Sequence, residues 1–573
     1  MRVERGASQI LFGLLPGQTV DLEGRIWKVA KWSDPIVVTI DQETVRSVLL
    51  QAAFPWTQND KDDGLAQQLR TRTPIEIVKL NEDRGVLVEP FPKQWRCKTC
   101  NRVTQQAPGD RCKCSAIKNW AQMQFVAFHG CGASKEPYIR RCPQHNAVAV
   151  RLPGTESARE LFFYCPECPK FQQYGFPFQR CECTSDDNKN AQMSINVHRA
   201  GQVFSPQFAV VVNPPDPADA ARARATGGGA KALEWVLNGM QESNPTAGRQ
   251  TPAELIAALR QGFPGLSDET LNDMVQRAVD SGEMAASDTP PLDLPQAVLE
   301  LAQEEALNLS SAVLTGRVRI REMVDAAGPP LRSLYEGRYL DAVAEARLAS
   351  VDLLTNFPVA TLAYGFTRGD STPGESRLVT FKERGRTRAY ASLARTEALL
   401  FQLDPVAIHR YLFAARCHLL TPSGDARNAR IDILRNVTMP TPVQEDPQQL
   451  GRELLTVLHS YAHRTIRKLS TFAGIERDSL AEYLLPHHLS FVVYAVARGD
   501  FVLGGLQACF ETNLHRVLEE IAEGESRCPL DPGCRSGGGA CMACLHLGEP
   551  SCRWFNRFLD RSALFGRSGL LSL

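Results

Sequence analysis

Residues 95–100 read WRCKTC and residues 111–114 read RCKC; residues 163–168 then read FYCPEC and residues 180–183 read RCEC. The two copies are offset by 68 residues at the first cysteine pair and by 69 at the second. Each copy joins a CxxC knuckle to a second short thiol pair. That is the form of a zinc site, in which two thiolates a turn apart meet two more from another loop to complete a tetrahedron. Repeat symmetry therefore assigns Cys97, Cys100, Cys112 and Cys114 to one ion and Cys165, Cys168, Cys181 and Cys183 to another.

Between the copies, HGCGASKEPYIRRCPQH adds His129, Cys131, Cys142 and His145. These four are candidates for a third ion. A competing partition pairs Cys142 and His145 with Cys165 and Cys168, a separation that matches zinc-ribbon spacing. Symmetry favours the first partition, and His145 alone is also consistent with a solvated loop histidine.

Working outward, the 573-residue chain has 17 cysteines, of which 15 fall in two bands, Cys97–Cys183 and Cys528–Cys552. Cys417 and Cys509 stand apart in apolar helical contexts and read as buried core thiols. The early run MRVERGASQILFGLLPG is broken by Gly13 and Pro16 and has no cleavage pattern, so no signal peptide is expected. No stretch reaches the length of a membrane span. A cytoplasmic protein without membrane association is expected, where thiols stay reduced and metal binding outranks disulfides. Lys+Arg and Asp+Glu are equal at 64 each, so net charge announces no nucleic-acid partner, although a local basic face is compatible with that balance.

The second band has five cysteines: Cys528, Cys534, Cys541, Cys544 and Cys552. One zinc needs four. Cys541, Cys544 and Cys552 form the nucleus, with Cys534 and Cys528 competing for the remaining place. Three zinc ions are expected in total, with room for a fourth. Thiolate-saturated zinc leaves no position for water, so such sites hold loops together and perform no catalysis.

The chain divides into a β-rich region over 1–95, a zinc-ribbon-like region over 96–215, a linker and helical block over 216–350, and an α+β domain with the C-terminal cysteine cluster over 351–573. The fold class is multidomain α+β. In the helical block, Thr251 and Pro252 start one helix, and Ser267 caps another that stops near Gly282. TGGGAKA lacks the spacing of a phosphate loop. Leu454, Leu455, Leu458, Ala462, Ile466 and Leu469 predict one apolar helical face ending at Gly474. LSFVVYAV predicts a strand, LQACFETNLHRVLEEIAEG a helix ending at Gly524, and RWFNRFLDR an amphipathic helix with Arg553, Arg557 and Arg561 on one face.

His459 and His463 lie four apart on the 454–469 helix and would share a face. A metal-dependent hydrolase or nuclease would use them with Glu453 or Glu482; a packed helix interface is the other reading. No HExxH glutamate lies between them, and no Walker lysine or base-paired nucleophile is evident.

HSYAH, then a strand, LGGL, and CMACLHLGEPSCRWFNRFLDR together resemble the helicase-associated domain at the C-terminus of MrfA-type repair helicases. With Tyr364–Arg368 (YGFTR) and the N-terminal GASQILFGLLPGQTVDLEG, the full arrangement resembles the DrmB family, the helicase-partner subunits of DISARM anti-phage systems. RTRAYASLARTEALLF departs from that pattern, standing where a glycine- and acid-containing segment is expected. The resemblance implies a noncatalytic subunit that joins a superfamily 2 helicase of the DrmA kind and helps it engage phage DNA. Candidate DNA-facing residues are Arg384, Arg386 and Arg388, then Arg464, Arg467 and Lys468, then Arg553 and Arg557; sets of this kind are more often simply solvated faces.

Overall fold

The computed structural model describes residues 1–105, 114, 120–152, 158–183, 192–212, 228–240, 256, 259–260, 265, 267–280, 292–314, 316–370, 372–422, 424–440, 448–496, 503–523, 527–548, 551–552, 554 and 556–572. Two compact units emerge. The first draws on Met1–Asp216 and Val359–Ala394, and the second on Pro217–Pro358, Arg395–Val496 and Val502–Leu573.

In the first unit, RIWKVAKW forms the strand Arg25–Trp32 in a four-stranded antiparallel sheet with Thr19–Leu22, Val86–Pro90 and Arg2–Val3. Trp27 and Val29, two residues apart, face the core, and a bulge between Val29 and Lys31 then shifts the phase so that Trp32 also turns inward. Ile10, Leu11, Leu14 and Leu15 cover these rings, and Trp32 Nε1 donates to the Leu14 carbonyl at 2.9 Å. A second layer is built from Ser205–Val212, which pairs antiparallel with the end of Leu348–Thr367. Leu378–Glu383 follows, and then the start of Arg386–Leu403. The early segment Glu76–Lys79 joins this layer in parallel, Glu76 opposite Arg388. The region 1–95 is therefore β-rich, as its composition suggests, but part of it completes a sheet made from residues some three hundred positions later.

The cysteine band contributes three small sheets with strands of two to four residues: Val103–Thr104, Trp95–Cys97 and Trp120–Gln122; Ser134–Lys135, Phe125–Phe128 and Ser194–Val197; and Ala149–Arg151, Phe162–Tyr164 and Gln172–Tyr174. Sheets this short are marginal by themselves. Arg368, in YGFTR, is buried behind them. Its guanidinium donates to the carbonyls of Gly17 and Gly132 at 3.0 Å each and to that of Val203, and packs over the Phe204 and Phe366 rings. Burial lowers its pKa to about 10, so it remains a cation satisfied by backbone dipoles.

In the second unit, Leu480–Leu485 and Ser490–Ala495 form a hairpin paired to Ala398–Gln402. All six residues of Ser490–Ala495 are buried, which accounts for the continuous apolar run LSFVVYAV. The helix Gln449–Phe472 packs on this hairpin with Leu454, Leu455, Leu458, Ala462, Ile466 and Leu469 buried, and Gly474 beyond it takes φ +65°. The burial is wider than one apolar face. Tyr461, Ser460 and Thr465 are also enclosed, and each finds a partner: Tyr461 donates to the Ala346 carbonyl at 2.7 Å, Thr465 to the Tyr461 carbonyl at 2.9 Å, and Ser460 Oγ accepts from the Asp560 amide at 2.9 Å.

Within 216–350 the described elements include the helices Gly228–Leu237, Asp268–Asp280 and Gln296–Leu314 and the strand Arg317–Arg319. Ser267 Oγ accepts from the Thr270 amide at 3.3 Å, the cap its sequence suggests, whereas Thr251, Pro252 and Gly282 lie outside the described residues. Gln296–Leu314 is fastened to the hairpin turn by Glu305, whose Oε1 lies 2.7 Å from His487 Nδ1, and by the Ala302 carbonyl, 2.8 Å from His488 Nε2. The helix expected over LQACFETNLHRVLEEIAEG is two, Gly505–Thr512 and Leu514–Ala522, because Asn513 leaves helical geometry at φ −128° and ψ 3°. Among the described residues, no helix is long and apolar enough to cross a membrane.

Candidate metal centres

Thiol and imidazole donors, with one carboxylate, collect into five groups among the described residues, and within each the donor atoms lie within 4.8 Å of one another. Three belong to the first unit: His129, Cys131, Cys181 and Cys183; Cys142, His145, Cys165 and Cys168; and Cys97, Cys100 and Cys114. Cys112 lies outside the described residues. The repeat-symmetric partition is not the observed one. The second copy is split, its CxxC pair joining Cys142 and His145 and its CxC pair joining His129 and Cys131. The strands explain why. Phe162–Tyr164 pairs with Ala149–Arg151, which brings the Cys165 knuckle beside the Cys142 loop. Phe125–Phe128 pairs with Ser194–Val197 and Ser134–Lys135, which places the His129 loop by Cys181.

The separations distinguish a metal cage from a disulfide. With Zn–S near 2.3 Å, a tetrahedron has S···S edges of about 3.8 Å, and a disulfide would bring sulfurs to about 2.05 Å. Cys131 and Cys181 are 3.6 Å apart, Cys142 and Cys168 3.8 Å, Cys528 and Cys541 3.5 Å, and Cys534 and Cys544 3.7 Å. His145 Nδ1 is 3.6 Å from both Cys142 and Cys165, and His129 Nδ1 is 3.5 Å from Cys183.

Electrostatics pull thiols of the two complete first-unit groups in opposite directions. Burial opposes the Cys142 thiolate, but donors from the His145 backbone and ring outweigh it and bring its pKa down to about 6. Burial, with the neighbouring Cys181 and Cys183 thiols, pushes Cys131 up to about 12. A divalent cation removes that conflict, because it stabilises every thiolate at once.

The C-terminal group consists of Cys528, Cys534, Cys541 and Cys544. Both competitors for the last place are therefore in the cage, and Cys552, expected in its nucleus, is not. Gly539 takes φ +79°, a conformation that favours glycine, and a Cβ there would displace the Asp560 carboxylate. Arg561 is buried. It donates to Cys534 Sγ at 2.9 Å and holds both Asp531 oxygens at 2.6 Å, while Asp531 accepts the Cys528 amide at 2.9 Å. Among the described residues of RWFNRFLDR, the expected amphipathic helix is not formed. Asn556 and Phe558 adopt positive φ, and the Asn556 side chain both accepts from and donates to the Leu547 backbone at 2.9 Å. Arg553 lies outside the described residues.

Cys552 instead meets His459, His463 and Glu482, side chains exposed by 5, 0, 0 and 1%. His459 Nε2 is 3.3 Å from Cys552 Sγ and 3.0 Å from Glu482 Oε1, and His463 Nε2 is 3.5 Å from Glu482 Oε1. Burial works against charge on Glu482, but the two histidines hold its carboxyl below the ordinary carboxylate range. Glu453, the other carboxylate considered, accepts from Tyr411 at 3.1 Å and lines a surface groove of about 800 Å³ with Arg452, Arg557 and Arg567.

Several arginines proposed to face DNA are engaged internally. Arg467 donates to the carbonyls of Met542, Ala543 and His546 at 3.3, 2.9 and 3.2 Å, clamping the CMAC knuckle. Arg464 donates to the Glu520 carbonyl at 2.7 Å, and Lys468 pairs with Glu520 at 2.5 Å. Arg388 pairs with Glu76 at 2.5 Å, whereas Arg384 and Arg386 are exposed at a tight turn where Arg384 and Gly385 both have positive φ. No signal in the sequence marks Arg467 and Arg561 as second-layer supports of the cysteine cage, since only the fold brings them to it.

A family model for a domain of unknown function, DUF8724, matches residues 6–210. The DISARM protein DrmB of Bacillus paralicheniformis is 31% identical over 121 residues, covering 19% of this chain and 22% of that protein. The match thus spans about a fifth of that relative's length.

Proposed function

We propose that this chain is a noncatalytic, zinc-stabilised subunit of a DISARM-type anti-phage defence assembly, joining a superfamily 2 helicase of the DrmA kind and supporting its engagement of DNA. The observation that carries this reading is the distant similarity to DrmB. The cages agree with the noncatalytic part: each four-donor group has the ligand number that fills a zinc ion, leaving no position for a reacting water. In a chain of zero net charge, where Arg388, Arg464, Arg467 and Lys468 are engaged by internal partners, the helicase would supply most phosphate contacts.

A second reading, a metal-dependent hydrolase or nuclease, draws on the convergence of His459, His463 and Glu482. Cys552 occupies the position such an enzyme would need open, and burial of all four denies substrate access. Co-purification with proteins encoded beside this chain tests both. The subunit reading expects a stoichiometric helicase whose DNA binding or ATPase activity falls when this chain is omitted. Metal-dependent DNA cleavage by the isolated chain, with no helicase recovered, would overturn it in favour of the hydrolase.

A further inference from the structure

We propose that His459, His463, Glu482 and Cys552 hold a zinc ion in a closed, charge-neutral site distinct from the thiolate cages, fastening the C-terminal segment to the helix and hairpin of the second unit. The inference is independent of any role in phage defence, because it rests on donor chemistry alone.

His463 supplies the first reason. Its Nδ1 lies 2.8 Å from the Leu545 carbonyl, an acceptor only, so Nδ1 carries the proton and Nε2 of the neutral ring presents a lone pair. That Nε2 has no hydrogen-bond partner and faces Glu482. Glu482 supplies the second. Both its oxygens are buried without a hydrogen-bond donor, although His459 Nε2 approaches to 3.0 Å. Ligand atoms of two imidazoles, a carboxylate and a thiol thus converge in a space closed to water, with the His463 lone pair and both Glu482 oxygens unmatched, an arrangement that costs several kcal/mol per uncompensated group unless a cation lies among them.

The donor set identifies the cation. Two imidazoles, one carboxylate and one thiolate suit zinc, whereas calcium and magnesium require oxygen cages. One carboxylate and one thiolate carry two negative charges, which a divalent ion cancels, so the buried complex is neutral. The supporting contacts match those of a metal site. The Asn556 amide donates to Cys552 Sγ at 3.2 Å, and Leu545, which orients His463, directly follows Cys544 of the four-cysteine cage.

The three segments joined are distant in sequence: one turn of the helix Gln449–Phe472, the strand Leu480–Leu485 and the loop at Cys552. His459 and His463 are spaced one turn apart, as two ligands from one helix must be.

Metal stoichiometry of the purified full chain tests the site. Cys552→Ala and Glu482→Gln should each retain one equivalent of zinc fewer than the wild type, with the remaining equivalents unchanged. Should the variants fail to fold, the wild-type chain loaded with ¹¹³Cd²⁺ decides. A resonance well upfield of the thiolate-rich sites is expected from a centre with one sulfur ligand. Equal zinc content in wild type and variants, or a cadmium spectrum with thiolate-rich resonances only, would overturn the proposal.

Discussion

The cysteine band of the first unit and the helix–hairpin core of the second both gather metal-binding side chains, but they stand on opposite sides of the core-size problem. Strands of two to four residues in the band enclose small apolar clusters, the largest centred on Val103, Val148, Val150, Leu161 and Phe163. In the second unit the donors His459 and His463 stand on a 24-residue helix whose buried face is already dense with leucine. In the band, a metal would replace missing hydrophobic surface; in the helix–hairpin core, it would neutralise polar groups inside surface that is already sufficient. Ligand type is therefore less informative about a site's role than the core around it.

The largest expected effect separates the two. Complete chelation should remove about 10 kcal/mol or more of binding free energy per structural zinc. Amide protection across 95–183 should then collapse while the hairpin Leu480–Ala495 remains protected for longer. Hydrogen exchange with and without chelator measures this, and simultaneous loss in both regions would erase the distinction. Next in size, Leu458→Ala in the fully buried helix face should cost about 2–5 kcal/mol by denaturant unfolding and leave zinc content unchanged. Arg368→Met should cost about 3 kcal/mol, because three carbonyls in the first unit lose their shared donor. An unchanged midpoint would mean that water replaces the guanidinium.

A smaller effect is tied to pH. Burial works to lower the pKa of His487, but the Glu305 carboxylate outweighs it and raises the pKa above its ordinary value. Its contribution to stability is therefore fully present below about pH 6.5, the value of the free side chain, and is lost as pH rises through the higher folded value. Glu305→Gln should flatten that part of the stability profile. The smallest effect is expected at the surface. Arg386→Ala should change stability by less than about 0.5 kcal/mol. If Arg386 touches phosphate in the assembled complex, the same change should reduce the salt slope of DNA binding by about 1.

Much of the fold was legible. The apolar spacing from Leu454 to Leu469 predicted the helix and its buried face, Gly474 marked its end, and the run LSFVVYAV predicted a strand, whose burial on both faces the structure adds. Cys417 and Cys509, read as core thiols, are buried, which pushes them up to about 11 and about 12. Less legible were segments whose conformation answers to distant partners. RWFNRFLDR has helical spacing, yet Asn556 is held by Leu547 and Arg561 by Asp531 and Cys534, contacts that outweigh a weak local propensity.

The sequence by itself marked most of the cysteines that gather into donor groups, because CxxC and CxC spacing is a local geometric property of short loops. It also determined the helix, the strand and the similarity to the DISARM protein DrmB. Only the tertiary structure decided which ligands share a cage. Cys165 meets Cys142 across a sheet pairing, and Cys552 meets His459 because a C-terminal loop returns to a helix ninety-three positions earlier. Ligand partition depends on strand register and loop return, which are long-range properties that spacing along the chain does not encode.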